Sequence, residues 1–474
     1  MVETNRTEPG GTESREKNLT VSDKAAVLVA QLAAGTIRKL GLGLGSNLPG
    51  RIARKLSPTV LSNLSAQTKK GVVAVTGTNG KSTTSGILSE ILRVAGFTFA
   101  HNRQGANLVT GITASLVESA NWASGIKADL CLFEIDEAAL PVVAREVKIE
   151  TVLVTNLFRD QLDRFGELDT TAKLISSGIV KNHSRAILNA DDPNVSQLVP
   201  DESRFFYGIE SVKEATVSSQ NQELAYCSKC GAEVAFHNVF YGQLGHWYCP
   251  SCENSRPKPN IIAKDVEVFA TSSRFKLQIG NTEEDCVLPL PGLFNVYNAL
   301  AAATAAHYMG VSNQAIRYGL KEYNTLFGRS EKLVIDGKPV IVQLIKNPAG
   351  ATQAVSSCVK DDKARLLIAI NDNLADGRDV SWLWDADFEQ LAKAAAAQNS
   401  LVVSGQRAED MAVRMKYAGY AADKIVCVPK LQEALELSLN ELKEGETLWL
   451  MPTYTCLLDL QKLLKSMGVS MSCT

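Results

Sequence analysis

A chain of 474 residues is too long for one ordinary core and suggests two or three domains. Apolar residues make up 45% and charged residues 21%, so a folded globular protein is expected. The 49 basic residues set against 51 acidic ones leave a net charge of -2, which speaks against a dedicated nucleic-acid binder with its usual basic excess.

Residues 1–20 are polar and charged, have no signal-peptide core and are expected to be disordered. No apolar run reaches the roughly 18–20 residues of a spanning helix, so a cytoplasmic location is expected. From Ser22 to about Leu56 the pattern predicts an apolar helix, a Gly-rich break and a short basic helix. Lys39, Arg51, Arg54 and Lys55 suit an anionic membrane surface; the alternative is a helix packed on the next domain with a solvated basic face. After Gly71, "VVAVT", "DLCLFEI", "TVLVTN" and "RAILNA" read as buried strands alternating with helices, which implies a parallel, doubly wound sheet. Between about 204 and 290 short β segments surround a group of cysteines and read as an insertion. Helices resume with "NVYNALAAATAAHYMG", and a second α/β unit begins near Lys332 with strands such as "PVIVQLI", "RLLIAIN" and "TLWLM".

The strongest chemical signal is "VAVTGTNGKSTTS", residues 73–85. A strand runs into Gly77, Thr78, Asn79, Gly80, Lys81, Ser82 and Thr83, and a helix follows. Glycines let backbone N–H groups turn inward around phosphate oxygens, and the helix N-terminus adds its positive end. Lys81 supplies a mobile charge for the β- and γ-phosphates, and the Ser82 hydroxyl is placed to bind Mg²⁺. The expected cosubstrate is ATP.

Cys227, Cys230, Cys249 and Cys252 form two CxxC pairs with eighteen residues between them, the spacing of a zinc ribbon. Four thiolates close a tetrahedral shell and leave no open position for catalysis, so a structural Zn²⁺ is expected. A nucleic-acid ribbon needs basic residues, yet Lys229 is the only Lys or Arg between the cysteines. The aromatics Phe236, Phe240, Tyr241, Trp247 and Tyr248 are available to pack the module or to cover part of a substrate site.

The glycine loop lacks the first glycine of the usual GxxxxGK[ST], because Val75 stands there, and this variant resembles the Mur ligase family. Those ligases join carboxylates to amines through an acyl phosphate made from ATP. Further motifs follow in the family's order. Glu134 in "FEIDE" matches its Mg²⁺-binding glutamate, and "LNADDP" its NxDD element. Asn295 in "GLFNVYNALAA" matches the asparagine that contacts adenine. "FGRSEKL", with Arg329, matches the hinge into the C-terminal domain, and "KNPAG" the HNP segment after it. "TNLFRDQLDRFGE" resembles TN…DHLD…G but lacks the histidine, which puts the ordinary second-metal arrangement in doubt.

The resemblance implies a central P-loop domain over 21–330 with the ribbon inserted at about 224–256, then a doubly wound α/β domain over 331–474. Only about 70 residues precede the loop, too few for the front domain that usually holds a UDP-linked precursor. With the ribbon and Asp372, Asn373, Asp376 and Asp379 of "INDNLADGRDVSWLWDADFE", this resembles the branch of synthetase subunits of lipid II isoglutaminyl synthase. That branch implies amidation of the D-glutamate α-carboxyl of lipid II at the inner face of the membrane, with ammonia from a GatD-like glutaminase partner. It further implies that an aspartate is lent to the partner's histidine. Asp379 is the first choice and Asp376 the second, against the alternative that Asp379 caps a short helix starting near Ser381. Catalytic roles are thereby expected for Lys81, Glu134 and Asp379. The rival readings are a Mur- or folylpolyglutamate-type ligase that adds an amino acid, and a zinc-ribbon ATPase stimulated by nucleic acid.

Overall fold

The computed structural model describes residues 19–39, 47–102, 106–158, 167–200, 203–213, 225–323, 329–394 and 399–469. The expected disorder of residues 1–18, the stretch from Arg159 to Gly166 and the hinge up to Gly328 fall outside them, as do the side chains of Lys39 and Arg329.

Three helices lead in: α1 (Val21–Lys39), α2 (Leu48–Leu56) and α3 (Val60–Ser65). Alternation follows, with β1 (Val72–Thr76), α4 (Lys81–Val94), β2 (Phe99–His101), α5 (Val109–Ser119), β3 (Leu130–Glu134), α6 (Leu140–Glu146) and β4 (Thr151–Val154). The unit goes on through α7 (Glu167–Asn182), β5 (Arg185–Asn189), α8 (Pro193–Ser196) and β6 (Arg204–Ile209). Next come β7 (Ala235–Tyr241), β8 (Leu244–Tyr248), β9 (Ile261–Val268), β10 (Ser273–Ile279) and β11 (Thr282–Leu288), then α9 (Leu293–Tyr308) and α10 (Asn313–Glu322).

The nine-stranded sheet has the order β11-β10-β9-β6-β5-β4-β1-β3-β2 and is parallel from β2 to β9. Its strands alternate between two cores. Val73 and Val75 pack with Ile87, Leu88 and Ile91 of α4, while Val72 and Ala74 pack with Ile112 and Leu116 of α5. Helix α9 is buried throughout Asn295–Ala306, which explains its Ala-rich, all-round apolar sequence.

One expectation needs correction. The β segments of 204–290 are not all an insertion, because β6 and β9–β11 extend the main sheet. Only the cysteine module, with β7 and β8 as a separate two-stranded hairpin, leaves it. Alternating half-buried strands such as β10 look the same in sequence whichever sheet they join.

The second unit contains β12 (Arg329–Ile335), β13 (Lys338–Gln343), α11 (Pro348–Cys358), β14 (Ala364–Ala369), α12 (Glu389–Lys393), β15 (Leu401–Ser404) and α13 (Ala408–Tyr417). It closes with β16 (Ile425–Cys427), α14 (Leu431–Glu441), β17 (Thr447–Pro452) and α15 (Tyr454–Ser466). The strand order is β12-β13-β17-β14-β15-β16, all parallel except the β12–β13 hairpin. A core lies on each face, as a doubly wound sheet requires.

Candidate active site

β1 sits inside its sheet between β3 and β4, so the loop after it opens at the carboxyl ends of the strands, where such sheets bind ligands. Gly77 and Gly80 take positive φ there, 118° and 84°. A Cβ on Gly80 would lie 2.2 Å from Asn298 Oδ1, so neither the backbone nor the available space admits a larger residue. Lys81 opens α4 and folds back: its Nζ donates to Gly77 O at 2.6 Å and pairs with Glu137 Oε1 at 2.8 Å. The Thr78 hydroxyl donates to Phe158 O at 3.1 Å, and Asn79 N donates to Asn156 Oδ1 at 2.9 Å. The loop is thus held from β4's end as well as its own.

Thr78, Asn79, Gly80, Lys81, Ser82 and Thr83 line a cavity of about 270 Å³, and Glu134 and Asn295 face the same space. Glu134, 5% exposed, ends β3, and Asn102 brackets its backbone, accepting from Glu134 N at 2.8 Å and donating to Glu134 O at 2.7 Å. Asn295 Nδ2 donates to Pro291 O at 2.7 Å. The second unit supplies the remaining wall through Gln343, Lys346, Asn347, Gly350 and Gln353. Asn347 caps α11 by accepting from Gly350 N, and its Nδ2 donates to Asn79 Oδ1 at 3.0 Å. Asn79 Nδ2 is buried without a partner among the described residues, an orphan donor that an anionic oxygen would satisfy. Glycine loop, lysine and helix start suit a polyphosphate. The Ser82 hydroxyl with the Glu134 carboxylate offers the hard oxygens that Mg²⁺ takes.

Sequence reasoning missed Asp136, Glu137 and Phe158, which also line the cavity, and did not single out Tyr241 among the ribbon's aromatics. The first two lay in the quoted "FEIDE", two and three residues beyond Glu134. Gly77 acts through its carbonyl, which anchors Lys81.

The four ribbon sulfurs lie within 4.8 Å of one another, with Cys227–Cys252 at 3.6 Å and Cys230–Cys249 at 3.4 Å. A tetrahedron of thiolates about 2.3 Å from zinc has edges near ~3.8 Å, so the set fits that ion. Burial opposes ionisation of Cys227, but donors from Asn254 and the backbone of Cys230 and Lys229 outweigh it and bring the thiol down to about 6.

The ribbon is also fastened to the sheet that carries the loop. Trp247, buried, donates to Ala190 O at 3.0 Å, and Gln243 Nε2 donates to Leu157 O at 2.6 Å. Arg256 Nε donates to the fully buried Asp191 at 2.6 Å. Asp191 also accepts from Tyr297 OH and Ile209 N, both at 2.8 Å. At the hairpin tip, Tyr241 meets Phe158 edge-on with ring centroids 5.5 Å apart. The aromatics therefore do both expected jobs: Trp247 packs the module and Tyr241 covers the cleft.

The acidic segment after β14 lies elsewhere, and none of its residues lines the cavity. Asp372 accepts from Arg407 at 2.7 Å, and Asp376 accepts from Thr455 N at 2.7 Å. Asp379 is exposed and accepts from Ser381 N at 2.8 Å, where the short 3₁₀ turn Ser381–Trp384 begins. That backbone bond, aided by the Ser381 hydroxyl, holds its carboxyl below the usual range. Val380 rather than Asp379 takes the cap position, and the bond to Ser381 N leaves the Asp379 carboxylate exposed.

Residues 75–247 match the Mur ligase middle domain and residues 344–457 match the MurT ligase C-terminal domain. The chain is 36% identical to the MurT subunit of the glutamine-hydrolyzing lipid II isoglutaminyl synthase of Staphylococcus aureus (strain N315), over 83% of this chain and 87% of that one. The identity to the MurT subunit of Streptococcus pneumoniae (strain ATCC BAA-255 / R6) is 33%, over 90% and 93% of the two chains. Among solved structures, a pseudomurein peptide ligase type C from Methanothermus fervidus superposes with a TM-score of 0.65 at 23% identity, covering 84% of this chain and 79% of that one. That likeness concerns the fold.

Proposed function

The chain belongs to the MurT family, and we propose that it is the ATP-dependent ligase subunit that amidates the D-glutamate α-carboxyl of the lipid II stem peptide, in peptidoglycan synthesis. The observation that carries this reading is the convergence of the glycine loop, Lys81, Glu134 and the capped start of α11 on one cleft between the two units.

A carboxylate cannot release oxide, so it must first be activated. A carboxylate oxygen attacks the γ-phosphorus of ATP, the bond to the β-phosphate oxygen breaks, and ADP leaves with that electron pair. Ammonia then attacks the acyl carbon, the bond to the phosphate-bearing oxygen breaks, inorganic phosphate leaves and the nitrogen gives up a proton. Lys81, drawn off Glu137, offsets the charge that gathers on the transferring oxygens, while backbone N–H groups of the loop and α4 hold the other phosphates. Glu134 and Ser82 would hold Mg²⁺, which when bound neutralises β/γ-phosphate charge. Asn295 would meet the adenine, and Asn347 would sense the loop from the second unit. Arg329, at the start of β12, is assigned to the nucleotide on its motif alone.

Ammonia would come from a partner. Cys131, Cys286 and Cys456 are buried, and burial pushes each thiol up to about 12, which makes them poor nucleophiles. A GatD-like glutaminase would bring the Cys and His, and Asp379, exposed and charged, would orient that histidine. The four ribbon thiolates would hold Zn²⁺ structurally. The work would take place at the inner membrane face. No described helix is long and apolar enough to cross a membrane.

The test is to incubate the purified chain with lipid II, ATP, Mg²⁺ and ammonium and read the stem peptide by mass spectrometry. Amidated peptide without any added amino acid is expected. Product that forms only when an amino acid is supplied would make this an amino-acid-adding ligase.

A further inference from the structure

Helix α1 buries one side and leaves the other bare. Asp23, Ala26, Val27, Ala30 and Ala34 are buried, and Gln31 ties the helix to the end of α5 through Val117 O and Ala120 O. On the opposite side Val21, Leu28, Val29 and Leu32 are 86%, 39%, 43% and 64% exposed. With exposed Ala25 they recur at helical spacing, so they form one stripe rather than scattered surface residues. Helix α2 packs beside α1 and adds exposed Leu48 and Leu56 together with exposed Arg51 and Lys55.

The charges exposed on α1 and α2 themselves have one sign. The only acid on α1 is Asp23, and it is buried under hydrogen bonds from Thr20, Ser57 and Asn63; α2 has none. Arg54 is occupied by Glu146, bound through both its terminal nitrogens. On α5, which carries the pair, the single acid is Glu118. Unpartnered aliphatic side chains edged by cations, with no acid exposed on either helix, complement an anionic lipid surface, where the stripe enters the acyl boundary and the cations meet the headgroups.

We propose that α1 and α2 form a peripheral membrane-docking face for bilayers with anionic headgroups. Its position suits a lipid-linked substrate, since α5 starts at Val109, just after Asn107 of the cleft. The proposal goes beyond the amidation reading and needs no substrate for its test.

The full chain is sedimented with vesicles of phosphatidylcholine alone or mixed with phosphatidylglycerol. Binding to the anionic vesicles only, weakening as salt rises, is expected. Leu28→Asp with Leu32→Asp should lower the bound fraction roughly tenfold or more. Arg51→Glu with Lys55→Glu, confined to exposed positions, should do the same, with ATP affinity unchanged in each. Equal binding to both vesicle types, no binding, or binding that survives both pairs of changes overturns the proposal. So does gel filtration showing a dimer that Leu28→Asp with Leu32→Asp turns into a monomer, since the face would then join two copies of the chain.

Discussion

The nucleotide cleft draws its side chains from Thr78, Glu134, Phe158, Tyr241, Asn295 and Asn347, positions spread over most of the chain. The acidic segment does the reverse: Asp372, Asp376 and Asp379 are neighbours in sequence, yet each is tied to a different partner, Arg407, Thr455 and Ser381. In the cleft the fold encloses a space and fills its rim from both units. In the segment the fold fixes the pose of two half-buried acids and the exposed Asp379, and the space they would act in would lie outside this chain. On the proposed reading, one site would be complete within the polypeptide and the other would be half of a site shared with the partner.

That contrast is open to direct attack. Asp379→Asn should lower glutamine-driven amidation by about 10⁴-fold, as loss of an orienting carboxylate does in a triad, while ammonium-driven activity stays near wild type. Loss of both would place Asp379 in the cleft's chemistry and erase the distinction. Lys81→Ala should lower the rate by roughly 10²–10³-fold with either nitrogen source, because it removes charge stabilisation at the transferred phosphoryl group. Ammonium-driven turnover that survives this change would sink the role given to Lys81.

Three further effects test how far the cleft depends on the ribbon. Arg256→Met leaves Asp191 fully buried and without its cation, and should destabilise the protein by about 3–5 kcal/mol, read from thermal melts. Tyr241→Ala should weaken ATP binding by roughly three- to tenfold through loss of aromatic wall, measured by titration calorimetry. Stripping metal from the four cysteines with a chelator should weaken ATP binding by a similar factor. An unchanged affinity in both experiments would separate the ribbon from the cleft.

The sequence revealed what local spacing encodes. The glycine loop, the Cys pairs and the buried strands each span a few residues, so their geometry follows from their own order. Glu134 and Asn295 were legible only because several motifs kept a known sequence. What escaped was the placement that long-range packing creates. Tyr241 reaches the cleft because a hairpin is fastened by Gln243 and Trp247 to Leu157 and Ala190. No periodicity in "FHNVFYGQLGHWY" reports that attachment. The same holds for β9–β11, whose alternation was clear and whose sheet was not.

The ribbon occupies the crossover between β6 and β9, two parallel strands paired side by side, so the chain must travel from Ile209 to Ile261 before the sheet can grow further. Closing a loop of that size carries an entropic cost, and cinching Cys227 to Cys252 removes roughly half its length. Halving a loop recovers only about 0.6 kcal/mol, so shortening the path is a minor gain. Coordination itself, worth roughly 10–16 kcal/mol in zinc-finger peptides, is the larger quantity. Zinc held by the four cysteines would therefore act on the step that joins β9 to β6, since residues 227–252 would enter the crossover as a preformed unit. Refolding without zinc should stall with the far edge of the sheet unpaired, a kinetic intermediate that added zinc releases.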